Sequence, residues 1–204
     1  MSNQKAVIFD WGGVLMRTTD LSPRLYWDQE LGLAPGTVES IVHGISAWKQ
    51  AQRGQITLEA YWQQVGNELK IPPSRLMELR EDFYRGDQLD TDLIELIKEI
   101  RADEVRVGLL SNNSLDLIDV LDELGIARLF DAIVISAQIG IMKPDKRAYK
   151  AILDALDAEP SRSIFIDDFV QNVEGARRIG MSAVRFSSDC NLKKRVKQWL
   201  GKLD

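Results

Sequence analysis

From Val105 onward the chain alternates short apolar runs with amphipathic stretches, a rhythm that few folds accommodate. VRVGLL, AIVIS, SIFI and SAVRF have strand length, and Leu115 to Leu124, Lys146 to Leu156 and Val170 to Ile179 carry apolar residues at helical spacing. Strands alternating with helices in this way pair in parallel, since a parallel neighbour is reached only through a crossover. Another apolar strand, Lys5 to Phe9, lies near the start. The expected fold is α/β: a doubly wound, Rossmann-like parallel sheet.

Between Leu21 and Arg101 the pattern shifts to helix periods without convincing strands, with breaks at Gly32 to Gly36, Arg53-Gly54 and Ile71-Pro72-Pro73-Ser74. This predicts a small α-helical unit inserted after the first strand. The expected spans are 1–17 and 88–204 for the core and 18–87 for the insertion. Thr91 to Ile100 reads as a helix rejoining the core, and Lys193 to Leu200, basic and amphipathic, as a terminal packing helix.

With 204 residues, 45% hydrophobic and 28% charged, the chain can bury one good core plus a modest second unit. Its net charge of -5 at pH 7 disfavours broad binding to nucleic acid. His43 is the only histidine and Cys190 the only cysteine, so internal disulfides and zinc sites built from Cys and His clusters are excluded. Met1 to Lys5 are polar and no apolar run has membrane-spanning length, so a cytoplasmic protein is expected, a monomer or homodimer.

Chemistry-bearing residues stand where the strands end. Asp10 follows the first strand and is followed by Trp11-Gly12-Gly13; a carboxylate at the carboxyl end of a parallel strand lies where open α/β sheets gather ligands. It is the candidate nucleophile. Val105 to Leu110 runs into Ser111-Asn112-Asn113-Ser114, a hydroxyl and amides suited to a phosphate oxygen, although Ser111 or Asn113 can equally cap the next helix. Lys143 follows the third run, ahead of a helix that Pro144 or Asp145 could open. Ser163 to Ile166 ends in Asp167-Asp168. Adjacent carboxylates repel unless a cation or hydrogen bonds offset their charge, and with Asp10 they supply hard oxygen ligands in a number suited to Mg²⁺. The alternative has Asp168 capping the next helix and Asp167 solvated.

In that order and placement, Asp10, Ser111, Lys143 and Asp167-Asp168 resemble the four motifs of the haloacid dehalogenase superfamily. The insertion resembles the family's small helical cap, and Arg53-Gly54-Gln55-Ile56-Thr57 with Tyr61-Trp62 is similar to the branch that holds glucose-1-phosphatases and the amino-terminal domain of soluble epoxide hydrolase. The resemblance implies a Mg²⁺-dependent phosphohydrolase of a small phosphorylated metabolite, such as a sugar phosphate, in which Asp10 forms an aspartyl-phosphate. It implies Mg²⁺ on the Asp10 side chain, the Gly12 carbonyl, Asp167 and Asp168, phosphoryl oxygens held by Ser111, the Asn112 amide and Lys143, and Asn172 orienting the second shell.

One position departs from the pattern. Phosphatases of this superfamily usually carry a second Asp, a general acid, two residues after the nucleophile; here it is Gly12. His43, Asp20, Arg53 or water are the candidate substitutes. A metal-independent 2-haloacid dehalogenase and a catalytically weak scaffold of the same fold are the alternatives. Against the first, Trp11-Gly12-Gly13 and the acidic pair depart from the dehalogenase form; against the second, the charged cluster is complete. Arg53 is a candidate for a second anionic group of the substrate. Trp48, Tyr61 and Trp62 can either line a pocket or pack a helix interface.

Overall fold

The computed structural model describes residues 4–202; residues 1–3 and 203–204, the ends of the expected core spans, lie outside the described residues. The elements run β1 (Ala6–Phe9), β2 (Met16–Thr18), α1 (Ser22–Glu30), α2 (Thr37–Gly44), α3 (Ser46–Ala51), α4 (Leu58–Leu69), α5 (Pro73–Phe83), β3 (Asp87–Leu89), α6 (Thr91–Ala102), β4 (Arg106–Ser111), α7 (Leu117–Glu123), β5 (Ala132–Ile135), α8 (Ser136–Ile139), α9 (Lys146–Ala155), β6 (Ser163–Asp167), α10 (Val170–Arg178), β7 (Ser182–Arg185) and α11 (Leu192–Leu200).

Five strands form one parallel sheet in the order β5-β4-β1-β6-β7. Helices cover both faces, which is why the strands read as continuous apolar runs. Successive side chains part to opposite layers. Val7, Phe9, Val107, Leu109, Ile164 and Ile166 pack with α6, α7 and α11, while Ala6, Ile8, Leu110 and Phe165 pack with α9 and α10. The terminal helix α11 contributes Leu192 and Val196 to the first layer, as a packing helix should.

In β1, Phe9 is level with both Leu109 and Ile166, so the three central strands end together, and the Asp10 amide continues the ladder to the Ile166 carbonyl at 2.9 Å. This shared register delivers Asp10, Ser111 and Asp167 to one edge of the sheet.

Helices α1 to α5 bury a core of their own around Trp27, Val42, Tyr61, Trp62, Leu79 and Phe83. Two sequence expectations need correction here. The stretch read as free of strands contains β3, which pairs antiparallel with β2 through Met16–Leu89 and Thr18–Asp87. Three-residue strands are too short to show alternation, and the joints expected at 17/18 and 87/88 fall inside this ribbon. The stretch between the expected breaks at Gly32 to Gly36 and Arg53-Gly54 is not one helix: it is interrupted at Ile45, which is extended (ψ 150°) after Gly44, a residue whose backbone freedom weakens a helix.

Candidate active site

Four segments converge at the carboxyl edge of the sheet. Asp10 leaves β1 nearly buried and accepts the Trp11 amide at 2.7 Å. Lys143 comes from the segment between α8 and α9, and its ammonium is wholly buried. It reaches Asp10 Oδ1 at 2.8 Å, Asp167 Oδ2 at 2.7 Å and the Leu110 carbonyl at 2.9 Å. An ammonium has three N–H donors, and all three are spent on these acceptors.

Asp167 is fully buried, not solvated, and is held on every side. Its Oδ1 accepts the Phe169 amide at 2.8 Å, its Oδ2 accepts Lys143, and the Asn172 side-chain amide lies 3.1 and 3.0 Å from the two oxygens. Tyr149 donates to the Asn172 carbonyl at 2.7 Å and so steadies that residue. Asp168 differs. It does not cap α10, whose N-cap is Phe169, and its Oδ1 is buried without a hydrogen-bond partner. A Cβ on Gly13 would lie 2.3 Å from its Oδ2, so the carboxylate is seated against bare backbone.

Ser111 ends β4 with its hydroxyl engaged by no other described side chain. Neither it nor Asn113 caps α7: the N-cap is Asp116, and Asn113 Oδ1 instead accepts the Ser114 amide at 2.9 Å. The Asn112 side chain is consumed in a two-way clamp on Lys143, donating to its carbonyl at 3.0 Å and accepting its amide at 2.8 Å. Donation from Asn112 to a phosphoryl oxygen therefore falls to its backbone N–H. The helix after Lys143 is opened by Asp145, which accepts the Arg147 amide at 2.9 Å, and not by Pro144.

Two contributors carried no sequence signal. Gln52, after α3, donates to the Asn112 carbonyl at 2.8 Å, and Ser136 donates to the Gln52 carbonyl at 2.6 Å while accepting the Asn113 amide at 3.0 Å. They tie the helical insertion to the segment after β4 through backbone atoms, which no residue pattern announces.

Among the described residues, none of Asp20, His43 and Arg53 makes a hydrogen bond or ion pair with the cluster. Asp20 accepts the Ser22 amide and hydroxyl, which hold its carboxyl below the usual range and leave it no proton at neutral pH. His43 packs edge-on against Phe83, its charged neighbours are Arg24, Glu39 and Asp87, and burial lowers its pKa. Arg53 is exposed in the turn after α3, and a guanidinium serves as a fixed positive charge, not as an acid. Trp48 and Tyr61 stack at 5.1 Å, and Tyr61 and Trp62 are buried in the insertion's own core, so this trio packs helices together.

Burial pushes the Asp10 carboxyl up to about 8; the Lys143 ammonium opposes the rise and the Asp167 carboxylate adds to it. Burial, and then Asp167, raise Asp168 as well. One oxygen from each of Asp10, Asp167 and Asp168 lies within 4.8 Å of the others. Ionising all three carboxyl groups beside one ammonium in this buried place would leave two negative charges uncompensated, which is why the carboxyls hold their protons more tightly than usual, and the Asp168 oxygen has no hydrogen-bond partner. Both features fit a divalent cation with a preference for oxygen.

Among the described residues no helix is long and apolar enough to cross a membrane. Comparison with known proteins agrees with the fold. The chain is 27% identical over 198 residues to the sesquiterpene phosphatase astK of Aspergillus oryzae, covering 97% of each. It is 39% identical over 123 residues to a Mycobacterium tuberculosis phosphatase, a match spanning 58% of this chain and 56% of that protein. A HAD family enzyme from Bacteroides thetaiotaomicron, crystallised with magnesium and inorganic phosphate, superposes with a TM-score of 0.75 at 18% identity, covering 93% of this chain and 97% of that one. The model of the haloacid dehalogenase-like hydrolases matches residues 4–180, and with the carboxylates of β1 and β6 meeting one buried lysine at the sheet edge, the chain belongs to that family of hydrolases.

Proposed function

We propose that this hydrolase is a Mg²⁺-dependent phosphatase of a small phosphorylated metabolite, working through an aspartyl-phosphate on Asp10. The observation that carries the reading is the buried, unpartnered oxygen of Asp168 beside Asp10 and Asp167. A dehalogenase that attacks carbon without metal has no use for it, and a scaffold has no reason to bear its desolvation.

Asp10, Asp167, Asp168 and the Gly12 carbonyl would hold the cation, which supplies charge neutralisation for the nucleophile and the phosphoryl group and draws the Asp10 carboxyl back toward ionisation. An Asp10 oxygen forms the new bond to phosphorus while the bond to the leaving oxygen breaks, its electron pair departing with that oxygen. Because position 12 is glycine, the leaving oxygen takes its proton from water. Phosphorylated Asp10 carries less negative charge on the oxygen facing Lys143, so an ammonium N–H can pass from Asp10 to a phosphoryl oxygen, beside the Ser111 hydroxyl and the Asn112 N–H. In the second step water bonds to phosphorus, the Asp10–phosphorus bond breaks, and the carboxylate is restored with release of phosphate and a proton. Asp167 and Asn172 position Lys143 without touching substrate. The helical insertion, tied down at Gln52, serves as a cap that limits the space for the leaving group, and Arg53 in its turn faces a second anionic group.

Phosphate release from a metabolite panel and an activated aryl phosphate, with Mg²⁺ or EDTA, tests this reading. Turnover that needs Mg²⁺ and falls at least about 10⁴-fold in Asp10→Asn is expected, a loss of the size seen when a covalent nucleophile is removed. Chloride release from 2-chloropropionate without metal would instead establish the dehalogenase, and silence in both assays the scaffold.

A further inference from the structure

Where the helical insertion meets the segment after β4, the peptide unit joining Asn112 to Asn113 is held at both ends. Gln52 Nε2 donates to its carbonyl at 2.8 Å, and its N–H donates to Ser136 Oγ at 3.0 Å. The Ser136 hydroxyl has one proton, which goes to the Gln52 carbonyl at 2.6 Å, the Asn113 carbonyl lying farther off at 3.3 Å. Gln52 therefore gives at its side chain and receives at its backbone, and three bonds close a ring. All three donors point the same way round, so each bond polarises the next, and with Gln52 9% and Ser136 1% exposed little water competes for them. The turn after Gln52 reaches the core because Gly54 has φ +66° and no Cβ, which would lie 2.4 Å from the Ala137 carbonyl.

The ring fixes one direction at the phosphoryl site. Asn112 Oδ1 and Nδ2 are both spent on the backbone of Lys143, which holds Cβ, while Gln52 and Ser136 hold the carbonyl carbon. A tetrahedral Cα of L configuration then has one direction left for its nitrogen. Ser111, in the β4 ladder beside Ile135, holds the far side of that nitrogen. The Asn112 N–H itself meets no acceptor among the described residues.

We infer that Gln52 is a positioning residue for the phosphoryl group: seated on Asn112 and Ser136, it aims the Asn112 N–H at a phosphoryl oxygen without touching substrate. The insertion then acts on the phosphorylated end of the substrate as well as on the leaving group. The inference rests on the phosphatase reading for the task of that N–H, and the test separates the two. Gln52→Met keeps the length of the side chain and removes its donor. Inorganic phosphate has no leaving group for the insertion to hold, so its affinity reads the aim of the N–H alone. Calorimetry in MgCl₂ should show phosphate bound about tenfold more weakly by Gln52→Met, the cost of one misdirected hydrogen bond to an anion. The value of kcat/KM should fall about 10- to 100-fold, alike for small and bulky esters, as a misplaced contact allows. Mg²⁺ affinity without phosphate should stay as in wild type, because Asp10, Asp167 and Asp168 lie outside the ring. Ser136→Ala, which breaks the same ring at the core side, should weaken phosphate similarly, and the double variant no further.

Unchanged phosphate affinity with losses confined to bulky esters overturns the inference, since Gln52 would then serve only the leaving group. Loss of Mg²⁺ affinity in step with phosphate overturns it too, as does multiplication of the two single losses in the double variant, or a wild type that binds no phosphate. Should Gln52→Met not fold, Ser136→Ala carries the same measurement. If wild type turns over no phosphate ester while Gln52→Met still loses phosphate, the phosphatase reading fails and the positioning role stands; if wild type hydrolyses esters and Gln52→Met matches it throughout, the reverse holds.

Discussion

Gly12 and Gly13 are neighbours under opposite constraints. A Cβ on Gly12 meets nothing within 4 Å, so the position that other phosphatases fill with an acid has room for one here. Gly12→Asp is expected to raise kcat/KM on alkyl phosphates by about tenfold or more, short of the 10² to 10⁴ of a well-placed donor, while barely changing an activated aryl phosphate. Equal gains on both, measured by steady-state kinetics, would show that the missing acid is not what limits poor leaving groups. Gly13 cannot be changed so freely. Its φ is +75°, and a methyl group would strike the Asp168 carboxylate. Gly13→Ala should weaken Mg²⁺ about 10- to 100-fold, the usual effect of disturbing a ligand's setting, and lower Tm by several degrees; a Mg²⁺ titration followed by phosphate release reads the first, and unchanged affinity would remove Asp168 from the metal site. That Asp10 and the acidic pair matter was legible in the chain, because strand ends can be read from apolar runs. That Gly13 is the seat of Asp168 was not, because the two residues meet only when β1 and β6 lie side by side.

Among elements, the β2–β3 ribbon leads into and out of the helical insertion, and one buried side chain of the insertion reaches both of its strands. Arg24 of α1 is buried and donates to the Phe83 carbonyl at 3.0 Å, pairs with Glu39 of α2 at 2.9 Å and Asp87 of β3 at 2.8 Å, and reaches Thr18 of β2 at 2.9 Å, with its guanidinium 4.2 Å from the Phe83 ring centroid. Arg24→Met leaves the Phe83 carbonyl without its side-chain donor and Asp87 with only the Thr18 hydroxyl, and is expected to cost about 3 kcal/mol in urea unfolding, as breaking a buried pair does. Arg24→Lys should recover little, since an ammonium cannot span four acceptors placed for a planar fork. Full recovery by lysine would reduce the role to simple charge. Nothing in the sequence pointed to Arg24, because the buried face of α1 is Arg24, Trp27 and Asp28, two of them charged, and so writes no apolar period.

At the scale of the whole molecule, folding gathers three carboxylates into one buried place, and pH must register that. The Asp10 carboxyl, raised by burial above its ordinary 3.8, keeps its proton in the folded metal-free protein over a range where the unfolded chain has lost it. The unfolded state then binds fewer protons, so stability falls as pH rises from about 4 to about 8 and levels off above. Mg²⁺ needs the ionised carboxylates, so the gain in Tm on adding MgCl₂ should grow from pH 5 to pH 8, and Asp10→Asn should flatten both trends. A gain in Tm independent of pH would mean that Asp10 is not among the groups that meet the cation.

The sequence by itself determined the layered α/β core, the strand ends and the residues placed on them, because burial on both sheet faces and helical spacing are written in local apolar pattern. Only the tertiary structure decided that Lys143 spends all three donors inside the cluster, that the Asn112 side chain clamps a backbone while Asp168 keeps an orphan oxygen, and that Gln52 closes a ring of hydrogen bonds with Asn112 and Ser136. Each of these is a contact between segments far apart in the chain, fixed by strand register and by the way the insertion folds back over the sheet, and residue spacing carries no record of it.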